Sequence, residues 1–595
     1  MQKVKEFLSK NKKIIWVVAS ILLTIGLNMS IYVANNLVYF NGNQIIWLFL
    51  CVFIYIIFKQ SDKYEGRRLK VCSGILAVIL AIIQVLGIMT NGNWIVSEVI
   101  VTKEVVMFML AKFITYGVIF YNIIKILFSL IEQIDWNKTR KDILKPSLKT
   151  FIVVALLFFI VWLPYFLNYY PGITSFDTHY QLMQGFGKIP YNNHHPVVHT
   201  FIMSSVVKVG HAITGDYNFG IALYAMLQMI FCAITLSFVI YYMGKKNINP
   251  IIKTITFLCF AFVPFVPQFS IAVWKDVPFA MFMVWLLIGI IEMITNEENF
   301  FTKKRNMGLF ILITLCVLFF RNNGVYIILL TLPFALVLRR KYWKQILIVF
   351  GIPIIFYYII TGPVFAKFNI AKSSSKEMLS IPMQQMARIV KYKGDELSEE
   401  DKNIIGQYIN IDTAAENYIP TISDPIKNEF NDGTFNQDKL NLIKLYIKLA
   451  IKYPGETLEA LVGNTYGYYY PEVVTYSIAT GVYKSPFEAE QFMNLHEDPI
   501  IDIPVLDSMI NAIYEKQIPI VSLIANIGFV FWIVLGIVFY NIYQKRYKYL
   551  LMFVPVGVLY LTCLASPVSG ELRYIYAMFV SLPLFIGVGL KNKLI

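Results

Sequence analysis

The sequence predicts an α-helical polytopic membrane protein of about 14 transmembrane helices, on three observations. Of its 595 residues, 57% are hydrophobic and only 15% charged, and the mean hydropathy is +0.60. Soluble domains carry about a quarter charged residues. Apolar runs long enough to cross roughly 30 Å of hydrocarbon recur along the chain. Lysine and arginine gather in alternate short loops between those runs, the pattern of a cytoplasmic face. The net charge of +15 therefore marks an inner membrane surface, and nucleic acid is excluded as a partner. So are a disordered chain, a coiled coil and a disulfide-stapled secreted scaffold.

In order, the runs are 14–34, 45–58, 71–88, 105–127, 149–167, 218–243, 251–268, 276–294, 307–320, 324–338, 345–361, 517–540, 549–564 and 573–590. Lys3, Lys5, Lys10, Lys12 and Lys13 precede the first. Lys59 to Lys70, Lys138 to Lys149, Lys245 with Lys246, Lys303 to Arg305, Arg339 to Lys344, Lys545 to Lys548, and Lys591 with Lys593 fill the alternate loops. The intervening short loops hold only Lys103, Lys188, Lys208, Lys275, Arg321 and Arg573. This bias, about five to one, places both termini in the cytoplasm.

The first run is too long for a signal-peptide core and lacks a small-residue cleavage site, so it is expected to stay as an anchor. The stretch 196–213 is left out of the spans, because His199, Lys208 and His211 are costly at mid-bilayer. Counting it would also invert every later loop. It is expected to be an interfacial or re-entrant helix on the outer face. Cys51, Cys72, Cys232, Cys259, Cys316 and Cys563 all fall within apolar runs, so no disulfide framework or cysteine metal site is readable.

The chain divides into regions. Residues 1–148 form a four-helix membrane block with small outward loops. Residues 149–361 form a membrane core whose first outer loop, 168–217, is long and polar. Over 362–516 the hydropathy falls and 22 of the 37 acidic residues collect against 14 Lys plus Arg, so a mainly helical extracytoplasmic domain is expected there. Residues 517–595 return to the membrane with three helices.

The chemistry concentrates in the first outer loop of the core. Five of the six histidines, His179, His194, His195, His199 and His211, lie there, beside Ser175-Phe176-Asp177-Thr178-His179-Tyr180-Gln181 and Asn192-Asn193-His194-His195-Pro196. An interfacial loop that binds lipid headgroups is the plainer reading. A metal site is another, with Asp177, His195 and His199 as ligands and a divalent cation as cofactor, although Pro196 interrupts the i, i+4 spacing.

Trp274-Lys275-Asp276, Arg321-Asn322-Asn323-Gly324 and Ser569-Gly570-Glu571-Leu572-Arg573-Tyr574 each stand at a helix mouth on the same side. Taken singly, such charges serve as snorkelling anchors. Together, Lys275, Arg321 and Arg573, with His194 and His195, suit a phosphate, and Asp276 or Glu571 could be a second acid beside Asp177. In the outer domain, Gln384 and Arg388 share a helix face. Tyr468 and Tyr469 belong to a tyrosine cluster that stacks on sugar or packs against the membrane domain.

Nucleotide sugars and ATP are not available outside the cytoplasmic membrane. A transferase working there needs a donor carried through the bilayer, most simply a polyprenyl-phosphate sugar, with cations to meet the leaving phosphate and a carboxylate base for the acceptor hydroxyl.

At these residues the chain resembles the GT-C-fold glycosyltransferases, the superfamily of protein O-mannosyltransferases, oligosaccharyltransferases and lipid A aminoarabinose transferases. A span at 149–167, Asp177 in the first outer loop and His195-Pro196 stand in the superfamily's order. The chain is also similar to a group of bacterial multi-spanning proteins that share the Ser-Phe-Asp loop, the Trp-Lys-Asp mouth, the Arg-Asn-Asn-Gly turn and the late Gly-Glu-Leu-Arg-Tyr. The resemblance covers roughly 149–361 and 517–595.

It implies a GT-C-like core and inverting transfer from a polyprenyl-phosphate sugar to an envelope glycan or glycopolymer. Asp177 would be the base, and nearby Lys and Arg would hold the lipid phosphate. Many relatives carry two adjacent acids in this loop, whereas Asp177 is followed by Thr178 and His179, which weakens a two-carboxylate metal site. His179, Gln181, Asn193, Gln384, Arg388, Tyr468 and Tyr469 are the expected substrate or acceptor contacts. The rival readings are a polysaccharide polymerase or ligase with a lipid-pyrophosphate donor, and a lipid-linked oligosaccharide flippase.

Overall fold

The computed structural model describes residues 11–32, 37–91, 102–134, 142–473, 481–484 and 492–591. The basic residues Lys3, Lys5, Lys10, Lys138, Arg140, Lys141 and Lys593 lie outside the described residues. The described chain is nearly all helical, with a single hairpin of strands β1 (Met29–Tyr32) and β2 (Leu37–Phe40).

The helices of the first block are α1 (Lys12–Asn28), α2 (Gln44–Ser61), α3 (Arg67–Asn91) and α4 (Lys103–Gln133). The core follows with α5 (Leu148–Asn168), α6 (Phe176–Gly185), α7 (Val197–Thr214), α8 (Tyr217–Lys245), α9 (Pro250–Phe262), α10 (Phe265–Ser270), α11 (Asp276–Thr295), α12 (Glu297–Thr302), α13 (Lys304–Phe320), α14 (Gly324–Leu338) and α15 (Trp343–Ile359). The outer segment contains α16 (Ser380–Lys393), α17 (Glu399–Tyr408), α18 (Ile411–Asn417), α19 (Asp424–Asn428), α20 (Asp432–Gln437), α21 (Lys439–Lys452), α22 (Pro454–Thr465), α23 (Val505–Tyr514) and α24 (Val521–Ile524). The chain closes with α25 (Ile527–Tyr543), α26 (Val554–Leu564) and α27 (Leu572–Leu590).

Among the described residues, ten helices are long and apolar enough to cross a membrane: α2, α3, α4, α5, α7, α8, α11, α27, the continuous Arg340–Lys367 around α15, and Tyr547–Leu564 around α26. Their outer faces stay apolar, as at Leu48, Phe49, Phe53 and Ile114, which suits hydrocarbon and would be unfavourable in water. The protein is a polytopic helical membrane protein.

Three expected runs are shorter than their apolar text, for local reasons. The 14–34 run stops at Asn28, where the chain turns into the β1–β2 hairpin. The 251–268 run breaks after Phe262, because Pro264 lacks an amide donor and disfavours helix at Val263. The long helix of the 517–540 run begins only at Ile527, where Asn526 accepts from Phe529 N; before it stand the single turn α24 and Ile520 with a φ of +68°.

Helix α7, the stretch expected to be interfacial, meets the length and composition of a span and packs extensively against α8. His199 Nε2 lies 2.9 Å from Tyr224 Oη, and a β-carbon on Gly210 would stand 2.4 Å from Gly220 Cα. Its far face, Phe201, Ile202, Val209 and Ile213, is apolar and exposed, which suits hydrocarbon.

One large core joins α5 to α15 with α23 to α27. A second, separate core is built from Met383 to Tyr453. The stretch 362–516 thus divides. Its first part packs on itself, while Tyr468, Met493, Leu506, Ile510 and Tyr514 belong to the membrane-helix core. The first block docks through α3 and α4, where Phe120 meets Trp532 at 5.3 Å and Gln84 Nε2 donates to Glu472 at 3.1 Å.

The junction of the outer segment with the last membrane hairpin is a backbone contact between two glycines. A β-carbon on Gly467 would stand 2.8 Å from both Cα and N of Gly570, whose φ is +75°. No side chain can rotate away there. Gly467→Ala is expected to lower stability by about 1–3 kcal/mol, the usual range for overpacking, seen as a fall in the melting midpoint of the purified protein in detergent. An unchanged midpoint would show that the junction gives way freely.

Candidate functional site

The first outer loop is placed by main-chain pairing. After α5, Ile173 N donates to Ile271 O at 3.2 Å and Val273 N donates to Ile173 O at 2.8 Å, a parallel bridge between Ile173 and Ala272. Gly172 is required at its start, with φ +134° and a β-carbon position only 3.0 Å from Ala225 Cβ. Thr178 Oγ1 accepts from Ser175 N at 3.1 Å and donates to Val273 O at 2.7 Å, fixing the first turn of α6 to the same strip. The two strips then deliver Asp177 and Lys275 to one point.

Arg573 reaches that point from the N-terminus of α27. Asp177 Oδ2 accepts from Lys275 Nζ at 2.8 Å and from Arg573 Nη1 at 3.1 Å. On its other side Lys275 Nζ donates to His195 Nδ1 at 3.1 Å. An ammonium only donates, so Nδ1 is the unprotonated nitrogen and the proton of this neutral ring lies on Nε2. Arg573 Nε is 3.6 Å from Glu571 Oε1, and its guanidinium lies 5.6 Å from the Trp274 ring and 5.0 Å from that of Tyr574. Asp177 and Arg573 are 21% and 19% exposed, so the cluster is partly open at both.

Electrostatics follow from this packing. Burial opposes the charge of Asp177, but Lys275 and Arg573 outweigh it and hold the carboxyl well below its usual range. Burial, helped by Lys275, holds His195 well below the usual imidazole range, so the ring is neutral. Burial pushes Glu571 up, against the pull of Arg573.

The other expected residues divide into two groups. Arg321 does not join Lys275 and Arg573 on the same carboxylate. Its Nη1 lies 3.2 Å from Asp276 Oδ1 and donates to Tyr574 O at 2.8 Å, and its guanidinium is packed between Phe279 and Tyr574. Asp276 is 1% exposed, so it serves as the counter-charge of Arg321 and is closed to an acceptor. His194 faces Glu377 at 3.7 Å, and Glu377 in turn binds Lys427 of the outer domain at 3.0 Å. Asn193 contributes its backbone, with N donating to Ala371 O at 2.8 Å and O accepting from Asn322 Nδ2 at 2.7 Å. Asn322 also donates to His194 O at 3.1 Å.

His179 is buried beside Thr174 Oγ1 and the Tyr483 ring. Gln181 Oε1 meets His199 Nδ1 at 2.7 Å and Thr200 Oγ1 at 3.2 Å, a bracket between α6 and α7. Gln384 donates to Ile419 O at 2.7 Å, and Arg388 pairs with Glu456 and Glu459; both hold the outer core together. Tyr468 is fully buried, with its hydroxyl donating to Val568 O at 2.9 Å, and the Tyr469 hydroxyl meets Thr465 Oγ1 at 3.2 Å. These tyrosines pack the outer segment onto the membrane helices.

The residues do not fit the expected metal site. Both ring nitrogens of His199 are engaged, by Gln181 and by Tyr224, and the space between Asp177 and His195 is taken by the Lys275 ammonium. Among the described residues, no group of three or more His, Cys, Asp or Glu is arranged to hold a metal ion. Two neighbours were missed in the sequence. Tyr180 lies 5.4 Å from the His195 ring and accepts from Asn192 Nδ2 at 2.7 Å. Its i+3 spacing from Asp177 on a helix was the available signal. Glu377, in the outer domain, gave none.

The fold and the mouth cluster define a polytopic helical membrane protein with a charged site at the ends of its helices. The chain belongs to the family described as "Family of unknown function (DUF6020)", whose model matches residues 187–593. The match includes Lys275, Arg321 and Arg573 and begins after Asp177. No curated protein and no solved structure matches the chain.

Glu571 gives the site a measurable pH signature. Its carboxyl is raised above the usual range, so its contribution to stability is full at low pH and is lost as pH rises through the raised value. In Glu571→Gln that loss should vanish, and the melting midpoints of variant and parent should separate progressively toward neutral pH, with the variant higher. Parallel pH profiles would show that folding leaves the Glu571 carboxyl at its ordinary value.

Proposed function

We propose that the protein is an inverting glycosyltransferase with a GT-C-like core, acting on the outer face of the cytoplasmic membrane. It would move a sugar from a polyprenyl-phosphate donor to a cell-envelope glycan or glycopolymer. The observation that carries this reading is the meeting of Asp177, Lys275 and Arg573, from three separate helix mouths, on one carboxylate oxygen. A lipid-borne phosphate reaches that level with its tail among the helices. Two cations meet the charge that develops on its leaving oxygen. The acceptor oxygen attacks the anomeric carbon, the carbon–oxygen bond to phosphate breaks with its electron pair staying on phosphate, and the hydroxyl proton passes to Asp177.

The rivals fit less well. A pyrophosphate donor calls for a third cation, and Arg321 is committed to Asp276. A flippase needs a polar path through the spans, whereas these charges collect at the mouths in pairs.

Reconstitution with labelled polyprenyl-phosphate sugar tests the reading. Asp177→Asn should lower transfer by a factor of about 10²–10⁴. Lys275→Gln and Arg573→Gln should each weaken donor binding by about 1.5–3 kcal/mol. Near-normal transfer by Asp177→Asn would remove Asp177 from the role of base.

Sidedness is tested separately. Reporters fused after Tyr169, Pro425 and Ser566 should lie outside, and those after Lys246 and Arg340 inside. An inside signal at Pro425 would overturn the reading, because lipid-linked sugar is delivered to the outer face.

A further inference from the structure

Asp177 is poorly suited to be a base in the arrangement just described. Its Oδ2 already carries two charge-assisted bonds, from Lys275 and Arg573, and a carboxylate so held gives up its affinity for a proton. The same two cations are the ones the proposed donor must find. Arg321, the remaining cation of the three mouths, is locked between Asp276 and Tyr574 O. Base and phosphate site are therefore one closed unit: the cradle is filled by the protein's own anion.

We infer that Asp177 stands in the place of the donor's phosphate, and that arrival of the phosphate displaces it and so makes it a base. This rests on the transferase reading above and adds an order to it, donor first and acceptor second. Both cations have a second partner that supports the exchange. Lys275 keeps His195 Nδ1 at 3.1 Å, and Arg573 keeps Glu571 at 3.6 Å, when the carboxylate swings out. Asp177 is partly exposed, at 21%, so the carboxylate has somewhere to go.

The charges balance through the cycle. A polyprenyl phosphodiester brings one negative charge and replaces the one Asp177 withdraws. In transfer, the freed carboxylate takes the acceptor proton while the phosphate gains the electron pair of the broken bond and becomes a dianion beside the two cations. When the polyprenyl phosphate leaves, Lys275 and Arg573 return to Asp177 and its proton passes to water. Before the donor binds, the base is masked, which protects the site from idle chemistry on water or stray hydroxyls.

The experiment measures binding of farnesyl phosphate, with uncharged farnesol as control, to the purified protein in detergent. Intrinsic fluorescence serves as readout, since Trp274 lies 5.6 Å from the Arg573 guanidinium. Asp177→Asn removes the competing anion and should bind farnesyl phosphate about tenfold more tightly or better, with farnesol unchanged. Asp177→Glu keeps a carboxylate and should stay near the parent, which separates competition from a general loss of packing.

If Asp177→Asn binds no more tightly while Lys275→Gln and Arg573→Gln bind more weakly, the cations hold phosphate without competition and this inference fails alone. If all three variants bind farnesyl phosphate as the parent does, the phosphate site itself is elsewhere and the transferase reading loses its support. The result that upholds the inference is the opposed pair: tighter binding and lost transfer in the same Asp177→Asn protein.

Discussion

A single carboxylate oxygen shared by two cations organises the helix mouths around the candidate site. Charges at the edge of hydrocarbon are tolerated only when they are paired or can reach water. Here the pairing draws the loop after α5, the mouth of α11 and the mouth of α27 to one place, and each contributes a charge the others need. A second pair, Arg321 with Asp276, stands behind it and touches the same mouth through Tyr574. The Arg321–Asp276 pair is buried, and the Asp177 cluster is partly exposed.

Around this centre the supports are mostly backbone. The Ile173–Ala272 bridge joins main chain to main chain, and the Thr178 hydroxyl on Val273 O and the Asn322 side-chain amide on two successive carbonyls of the histidine loop anchor main-chain oxygens. The outer domain joins the same frame. Ala371 pairs with the loop at Asn192 and Asn193, and Glu377 joins His194 to Lys427.

Much of this was legible in the sequence because the bilayer makes charge rare and hence conspicuous. Asp177, Lys275 and Arg573 stand out beside apolar runs, and each lies in the cluster. What one-dimensional reading missed is pairing. Arg321 and Asp276 looked like further members of an open site, but their separation in the chain gives no hint that they neutralise each other. Tyr468 and Tyr469 looked like a platform for sugar, and only the fold shows them wedged against the last hairpin. The boundaries of the 14–34, 251–268 and 517–540 runs moved for local reasons, of which Pro264 was visible and the hairpin at Met29 was not. The stretch 362–516 was expected to be one separate domain, although its later part, from Tyr468 to Tyr514, shares a core with the membrane helices.

The parallel bridge between Ile173 and Ala272 acts as a ruler. Acid and ammonium are measured off from it along two short strips, four residues to Asp177 on one and three to Lys275 on the other. Side chains at the bridge itself can vary without altering those lengths. Inserting or deleting one residue in either strip is another matter, since one step along α6 turns a side chain by about 100° around the helix axis. The site is thus tolerant in spelling and intolerant in length, and descendants of this chain can diverge widely at its edges while the count between the two strips stays fixed.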